Sequence, residues 1–183
     1  TQSDPGSSIY SVNVDIRREL PVVVALWRDR VLRETLPPGA RFTALKITDL
    51  SSQQVVFETD INPAGEPSNS PRQPGALQGI LAQLRTLRAK SILPAGFADK
   101  VSLGGEERPW RHQLDATIAL PFGGGETSTT MTLFFTDRLG GAQLYAGSRD
   151  LDVIFELEQP LLDAFWSFVA RDPGPPESAP SKG

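Results

Sequence analysis

The chain contains no cysteine, one histidine (His112) and one methionine (Met131) among its 183 residues. Without cysteine there is no disulfide, no thiolate nucleophile, no zinc–thiolate site and no iron–sulfur cluster. With a lone imidazole, serine–histidine–aspartate catalysis or histidine-rich metal chemistry would rest on His112 alone. An excess of positive charge is also missing: 18 Lys and Arg against 22 Asp and Glu give a net charge of −4 and a pI near 5.1. Such a chain has no overall attraction to phosphate backbones or anionic lipid heads, which disfavours nucleic-acid binding. The longest apolar run, Pro21 to Trp27, falls far short of the roughly 18 residues that a membrane span needs, and Arg28-Asp29-Arg30 follows it at once. Nor do Thr1 to Ser8 carry an apolar secretory segment. Membrane association is therefore expected only through an anchor outside this sequence, which reads as a piece of a longer protein.

What is present is ordinary for a water-soluble globule: 39% apolar and 22% charged residues, with 16 prolines and 16 glycines that imply several loops. Residues 1–8 read as a flexible lead-in, and Tyr10, Val12 and Val14 alternate as in a half-buried strand. Leu20, Val23, Val24, Trp27 and Val31 recur at helical spacing and predict a helix from Arg17 to Glu34, stopped by Pro37-Pro38-Gly39. Phe42 to Thr48 and Gln54 to Thr59 predict a hairpin. Residues 62–75 hold nothing apolar larger than alanine apart from prolines and predict a mobile loop. Leu77, Ile80, Leu81, Leu84 and Leu87 predict a helix over 76–89, and residues 91–115 read as irregular. A strand-rich block follows: Thr117–Phe122, a glycine turn, Ser128–Thr136, Gln143–Ala146 and the strand around Val153, Phe155 and Leu157. Pro160 opens a last helix with Leu161, Leu162, Phe165, Trp166 and Val169, and residues 172–183 read as a disordered tail. The opening strand and helix, with Leu20-Pro21, a tryptophan and Arg28-Asp29, echo the closing pair, with Pro160-Leu161, a tryptophan and Arg171-Asp172. A chain of tandem units would give such an echo, and so would chance likeness between two amphipathic strand–helix pairs.

Reactive constellations are sparse. His112 sits between polar neighbours, as a surface or hydrogen-bonded loop histidine does, and no serine lies in a Gly-x-Ser-x-Gly elbow. Glu106-Glu107 and Asp150-x-Asp152 lack a calcium-loop pattern and read as solvated charge. Gly123-Gly124-Gly125 and Gly140-Gly141 precede no helix, so they read as hairpin turns and not as phosphate cradles. Arg85, Arg88 and Lys90 cluster near the end of the predicted central helix, where they complement its dipole and could also meet a partner. Trp110, beside Pro109 and Arg111, is the aromatic placed for recognition, with packing over the sheet edge as its structural alternative.

The stripe Leu77-x-x-Ile80-Leu81-x-x-Leu84-x-x-Leu87-Arg88-Ala89 leads to a glycine-containing stretch, a strand pair, Tyr145-Ala146-Gly147-Ser148, Val153-Ile154-Phe155-Glu156-Leu157 and a capping helix. With the junction Leu26-Trp27-Arg28-Asp29-Arg30-Val31-Leu32-Arg33, this resembles a bacterial family of domains of unknown function, over about residues 20–170. Its members are membrane-anchored and encoded beside gliding-motility-type ABC transporters. The resemblance implies an envelope location, an N-terminal anchor that this sequence lacks, and an accessory role beside a transport or export system; it carries over no catalytic residue.

The expectation is thus an α+β fold, mainly antiparallel, with about three packing helices: a strand–helix unit over 9–36 and a main domain over 37–171. The expected core is Trp27, Leu45, Ile47, Phe57, Ile80, Leu84, Leu133, Phe135, Phe155, Phe165 and Trp166. No catalytic residue, metal or cofactor is expected. Function is expected to be protein binding in a membrane-associated assembly on the periplasmic or extracytoplasmic face, with Trp110, Arg111, Arg85 and Arg88 as candidate contacts. A small-ligand or glycan-binding module using the 91–115 loop is the alternative.

Overall fold

The computed structural model describes residues 30–69, 74–140 and 143–170. The opening strand at Tyr10–Val14, Trp27, most of the first predicted helix and the 172–183 tail lie outside them. The fold is α+β and mainly antiparallel. Ten strands are described: β1 (Val31–Arg33), β2 (Arg41–Asp49), β3 (Gln54–Asp60), β4 (Leu87–Ile92), β5 (Lys100–Leu103), β6 (Glu106–Pro109), β7 (His112–Phe122), β8 (Gly125–Phe135), β9 (Tyr145–Ser148) and β10 (Val153–Leu157). Two helices accompany them, α1 (Pro74–Arg85) and α2 (Gln159–Val169). Eight strands form one sheet in the order β1-β4-β10-β9-β8-β7-β2-β3, every neighbour antiparallel, while β5 and β6 make a separate hairpin.

Alternation with period two places the long central strands β7 and β8. In β7, His112, Leu114, Ala116 and Ile118 are buried while Gln113, Asp115 and Thr117 face the other side. Met131, Leu133 and Phe135 of β8 repeat the pattern and join the same core. That face is covered by α1, which buries Leu77, Ile80, Leu81 and Leu84, and by α2, which buries Leu161, Leu162, Ala164 and Phe165. The two helices cross closely: a Cβ added at Gly79 would lie 3.1 Å from that of Ala164. On the sheet's opposite face a smaller cluster gathers Val101, Trp110 and Ile154 with Phe97, Leu103 and Phe134. β10 therefore buries both of its sides, Phe155 and Leu157 under the helices and Ile154 under the small cluster.

Several expectations are corrected. The helix expected to run to Glu34 does not include Val31–Arg33, which forms β1 on β4, with Val31 opposite Arg88 and Arg33 opposite Leu87. Two helices are described where three were expected, and the first half of the tandem echo falls on residues that are not described. The central helix ends at Arg85, not Ala89, because its last carbonyls are taken from outside: Arg33 Nη2 donates to Leu84 O (2.6 Å) and Leu36 N to Arg85 O (3.0 Å). Leu87 keeps helical spacing from Leu84, yet it and Ala89 are buried and Arg88 and Lys90 exposed, the alternation of a strand. The supposedly irregular 91–115 stretch holds the β5–β6 hairpin, turned at Gly104 and Gly105 with φ of 61° and 86°, and the start of β7. Residues 62–69, expected to be mobile, are tied back to β3: Ser68 N donates to Asp60 O (2.8 Å) and Asn69 Nδ2 to Glu58 O (2.9 Å). Of the expected core, Phe57 and Trp166 are only half-buried, and the other described members are buried.

Leu84→Ala should cost about 2–5 kcal/mol of unfolding free energy, the loss of buried methyl groups plus the cavity left behind. Phe122→Ala, at the exposed hairpin tip, should change stability by no more than about 0.5 kcal/mol. Urea denaturation of the two variants against the parent checks both.

Candidate functional site

A polar, concave surface lies where the β2–β3 turn meets the start of β7. Asp49 ends β2 and closes the turn on itself: its Oδ1 accepts from Ser51 N (2.8 Å), Ser51 Oγ (2.7 Å) and Ser52 N (3.1 Å). Its Oδ2 accepts from Arg111 Nη2 at 3.0 Å, and Arg111 Nη1 also donates to Ser51 Oγ. The hydroxyl and amides of the serines, with Arg111 beside them, hold the Asp49 carboxyl down at about 2. Arg111 itself is positioned by its own backbone, whose carbonyl accepts from Leu50 N (2.8 Å) and whose amide donates to Phe135 O (2.7 Å).

His112 lies directly across the ladders from Asp49 on β2 and from Phe135 on β8. It is 7% exposed, and Phe165 of α2 meets its ring edge-on at 5.7 Å. Its Nδ1 is enclosed and has no hydrogen-bond partner. Burial lowers its pKa below the ordinary histidine value; Asp49 and Asp137 pull the other way and Arg111 does not. Around these groups is an open cleft of about 550 Å³, lined by Asp49, Ser52, Arg111, His112, Asp137 and Trp166. The Arg138 guanidinium sits over the Trp166 ring, 5.5 Å from its centroid.

The bonding pattern limits the chemistry. The Ser51 hydroxyl gives its proton to Asp49 and accepts from Arg111, so it is held and not activated. His112 makes no hydrogen bond to an acid or to a serine, and the nucleophile–base–acid relay of a hydrolase is not assembled here. Among the described residues no three His, Asp or Glu side chains converge as a metal site. Glu106 pairs with Arg108 (2.7 Å) and Glu107 with Lys100 (3.2 Å), while Asp152 accepts from Phe97 N (2.9 Å).

The four candidate contact residues do not come together. Trp110 is 8% exposed, stacks on Phe97 at 5.6 Å, donates from Nε1 to Ala98 O (2.8 Å) and leans on Gly147, where an added Cβ would lie 2.7 Å from its ring. Its neighbour Arg111 points instead into the cleft. Arg85 ends α1, whereas Arg88 and Lys90 are on β4 and face Glu158 (3.6 Å) and Glu156 (2.7 Å). Asp49, Ser51 and Asp137 were not singled out from sequence; the pattern Asp49-Leu50-Ser51-Ser52 marks a turn, and only the fold brings Arg111 and Asp137 to it. No family model, curated protein or solved structure matches the chain.

The enclosed His112 makes stability depend on pH in one direction. Its folded pKa lies below the unfolded one, so the unfolded chain binds the proton more readily. Stability should be full above the ordinary histidine pKa and fall as pH drops from there toward the folded value. Thermal melts between neutral and mildly acid pH should show this fall in the parent and lose most of it in His112→Gln.

Proposed function

We propose that this chain is a non-catalytic, extracytoplasmic interaction domain of a membrane-anchored bacterial protein, accessory to an ABC-type transport or export assembly, and that its protein partner meets the β7–β8 hairpin. The observation that carries the binding element is the projection of that hairpin. Pro121 to Thr130 are ten consecutive exposed residues, and Phe122 at the tip is 76% exposed. An aromatic displayed at the tip of a hairpin offers a partner surface a large apolar anchor. The anchor, the envelope location and the transport setting rest on the family resemblance of residues 20–170. A photo-crosslinking residue at Phe122, in the parent protein in its native membranes, should capture a transport component. The same residue at Ser102 should not, and equal or absent capture from both positions would count against the reading.

A second reading, a small polar ligand in the cleft, is favoured by the convergence of Asp49, Arg111 and Asp137 on one open concavity. It departs from the expected use of Trp110, whose ring and N–H are already engaged. A ligand of this kind should raise the melting temperature of the parent and not of Arg111→Ala; equal shifts in both would set the reading aside.

A further inference from the structure

The sheet manages its edges unequally. β1 is three residues long. On β3, the outer carbonyls of Glu58 and Asp60 are taken by Asn69 and Ser68, so the loop blunts that edge. A third edge lies along β8. β9 pairs with it only at Phe134 and Phe135, and among the described residues no other strand lies beside Gly125 to Thr132 on that side.

The parity of this edge follows from the turn. Phe122 opposes Gly125 across Gly123 and Gly124, whose φ values of 56° and 85° make a two-residue turn with both central residues left-handed. The pair flanking such a turn is hydrogen-bonded, and bonded and non-bonded pairs then alternate. Pro121 falls opposite Glu126, a non-bonded position that requires no N–H toward β8. Gly125, Thr127, Thr129 and Met131 therefore bond to β7, and Glu126, Ser128 and Thr130 direct their N–H and C=O groups away from it. No hydrogen bond within the described residues takes up these groups.

We infer that this edge pairs with the same edge of a second copy, antiparallel about a two-fold axis at Ser128. This deepens the reading of the hairpin as the interaction element and rests on it. The register is self-compatible. Glu126 faces the second copy's Thr130, so the two carboxylates never oppose one another, and Thr127 faces the second copy's Thr129, a favourable cross-strand pair. Glu126 is already neutralised by Arg41 at 2.8 Å, and no lysine guards the strand. Three outward residues on each copy supply about six main-chain hydrogen bonds. Phe122 lies on the core-facing side next to Gly125, which has no side chain to intervene, and across it stands the second copy's Met131.

The lack of native cysteine gives a clean test. At the two-fold axis the Ser128 α-carbons would be about 5.5 Å apart, within disulfide range. Under mild oxidation Ser128→Cys should form a covalent dimer, and Ser102→Cys, exposed on β5, should not. In sedimentation velocity over a wide concentration range the parent should show a monomer–dimer equilibrium. Ser128→Pro removes an outward N–H and leaves the β7 ladder intact; it should keep the parent's circular dichroism and weaken association by about tenfold or more. Ser128→Lys, which places like charges at the axis without changing the backbone, should do the same. A parent that stays monomeric, a dimer indifferent to both substitutions, or equal crosslinking at positions 128 and 102 would overturn the inference. A monomer that still captures a transport component from Phe122 would remove self-pairing and leave the hairpin's role as an interaction element standing.

Discussion

The register of β7 against β8 is the constraint on which the other features hang. Eleven residue pairs run from Phe122–Gly125 at the turn to His112–Phe135 at the base. Strand side chains alternate faces, so slipping this ladder by one residue would move Leu114, Ala116, Ile118, Met131, Leu133 and Phe135 away from the helices together. The two glycines at the turn fix the count from one end. The core fixes it from the other: Phe135 stacks on Phe165 of α2 with centroids 4.0 Å apart. The same count sets His112 facing Asp49 and decides which backbone groups of β8 look outward.

Covering both faces of one sheet imposes a second, local demand. Where α1 and α2 roof one side, the other is closed over β8, β9 and β10 by Trp110 and Phe97, and there the packing leaves no room for a side chain at Gly147. Trp110 is seated by its Nε1–H on Ala98 O, so the ring covers the sheet without an unpaired donor. The Trp110 ring is thus spent on packing, and the polar site begins only one residue later. Arg111 turns to Asp49, and Arg111 with His112 forms the cleft on the far side of the strand from the Trp110 cluster.

The sequence is legible where one pattern serves one purpose. Leu77, Ile80, Leu81 and Leu84 mark α1, alternation marks β2, β3 and β8, and Pro160 marks the start of α2. It is opaque where two periods coincide. Leu87 sits three residues after Leu84 and satisfies helix and strand alike, and what selects the strand is distant, namely Arg33 and Leu36 capping α1 and β10 waiting beside β4. Val31 met the same ambiguity. The β5–β6 hairpin is hidden for another reason: it contributes only Val101 and Leu103 to a core and spends most of its other positions on charge. The cleft was legible only in part, because Arg111 and His112 are adjacent in sequence whereas Asp49 and Asp137 reach them through tertiary pairing.

The contrast between β3 and the outer half of β8 shows what an edge needs in order to remain a monomer's edge. β3 is rich in apolar, β-branched residues, with Val55 and Val56 exposed, and would be the more adhesive strand if left open. Its loop returns and occupies the backbone at Glu58 and Asp60. The outer β8 segment has hydroxyl side chains on both faces and a neutralised glutamate, so water solvates it readily and hydrophobic collapse onto a wrong partner is weak. Any association there depends on main-chain hydrogen bonds formed in one register, because the side chains contribute little undirected attraction. That combination favours a selective, reversible contact over an aggregating one.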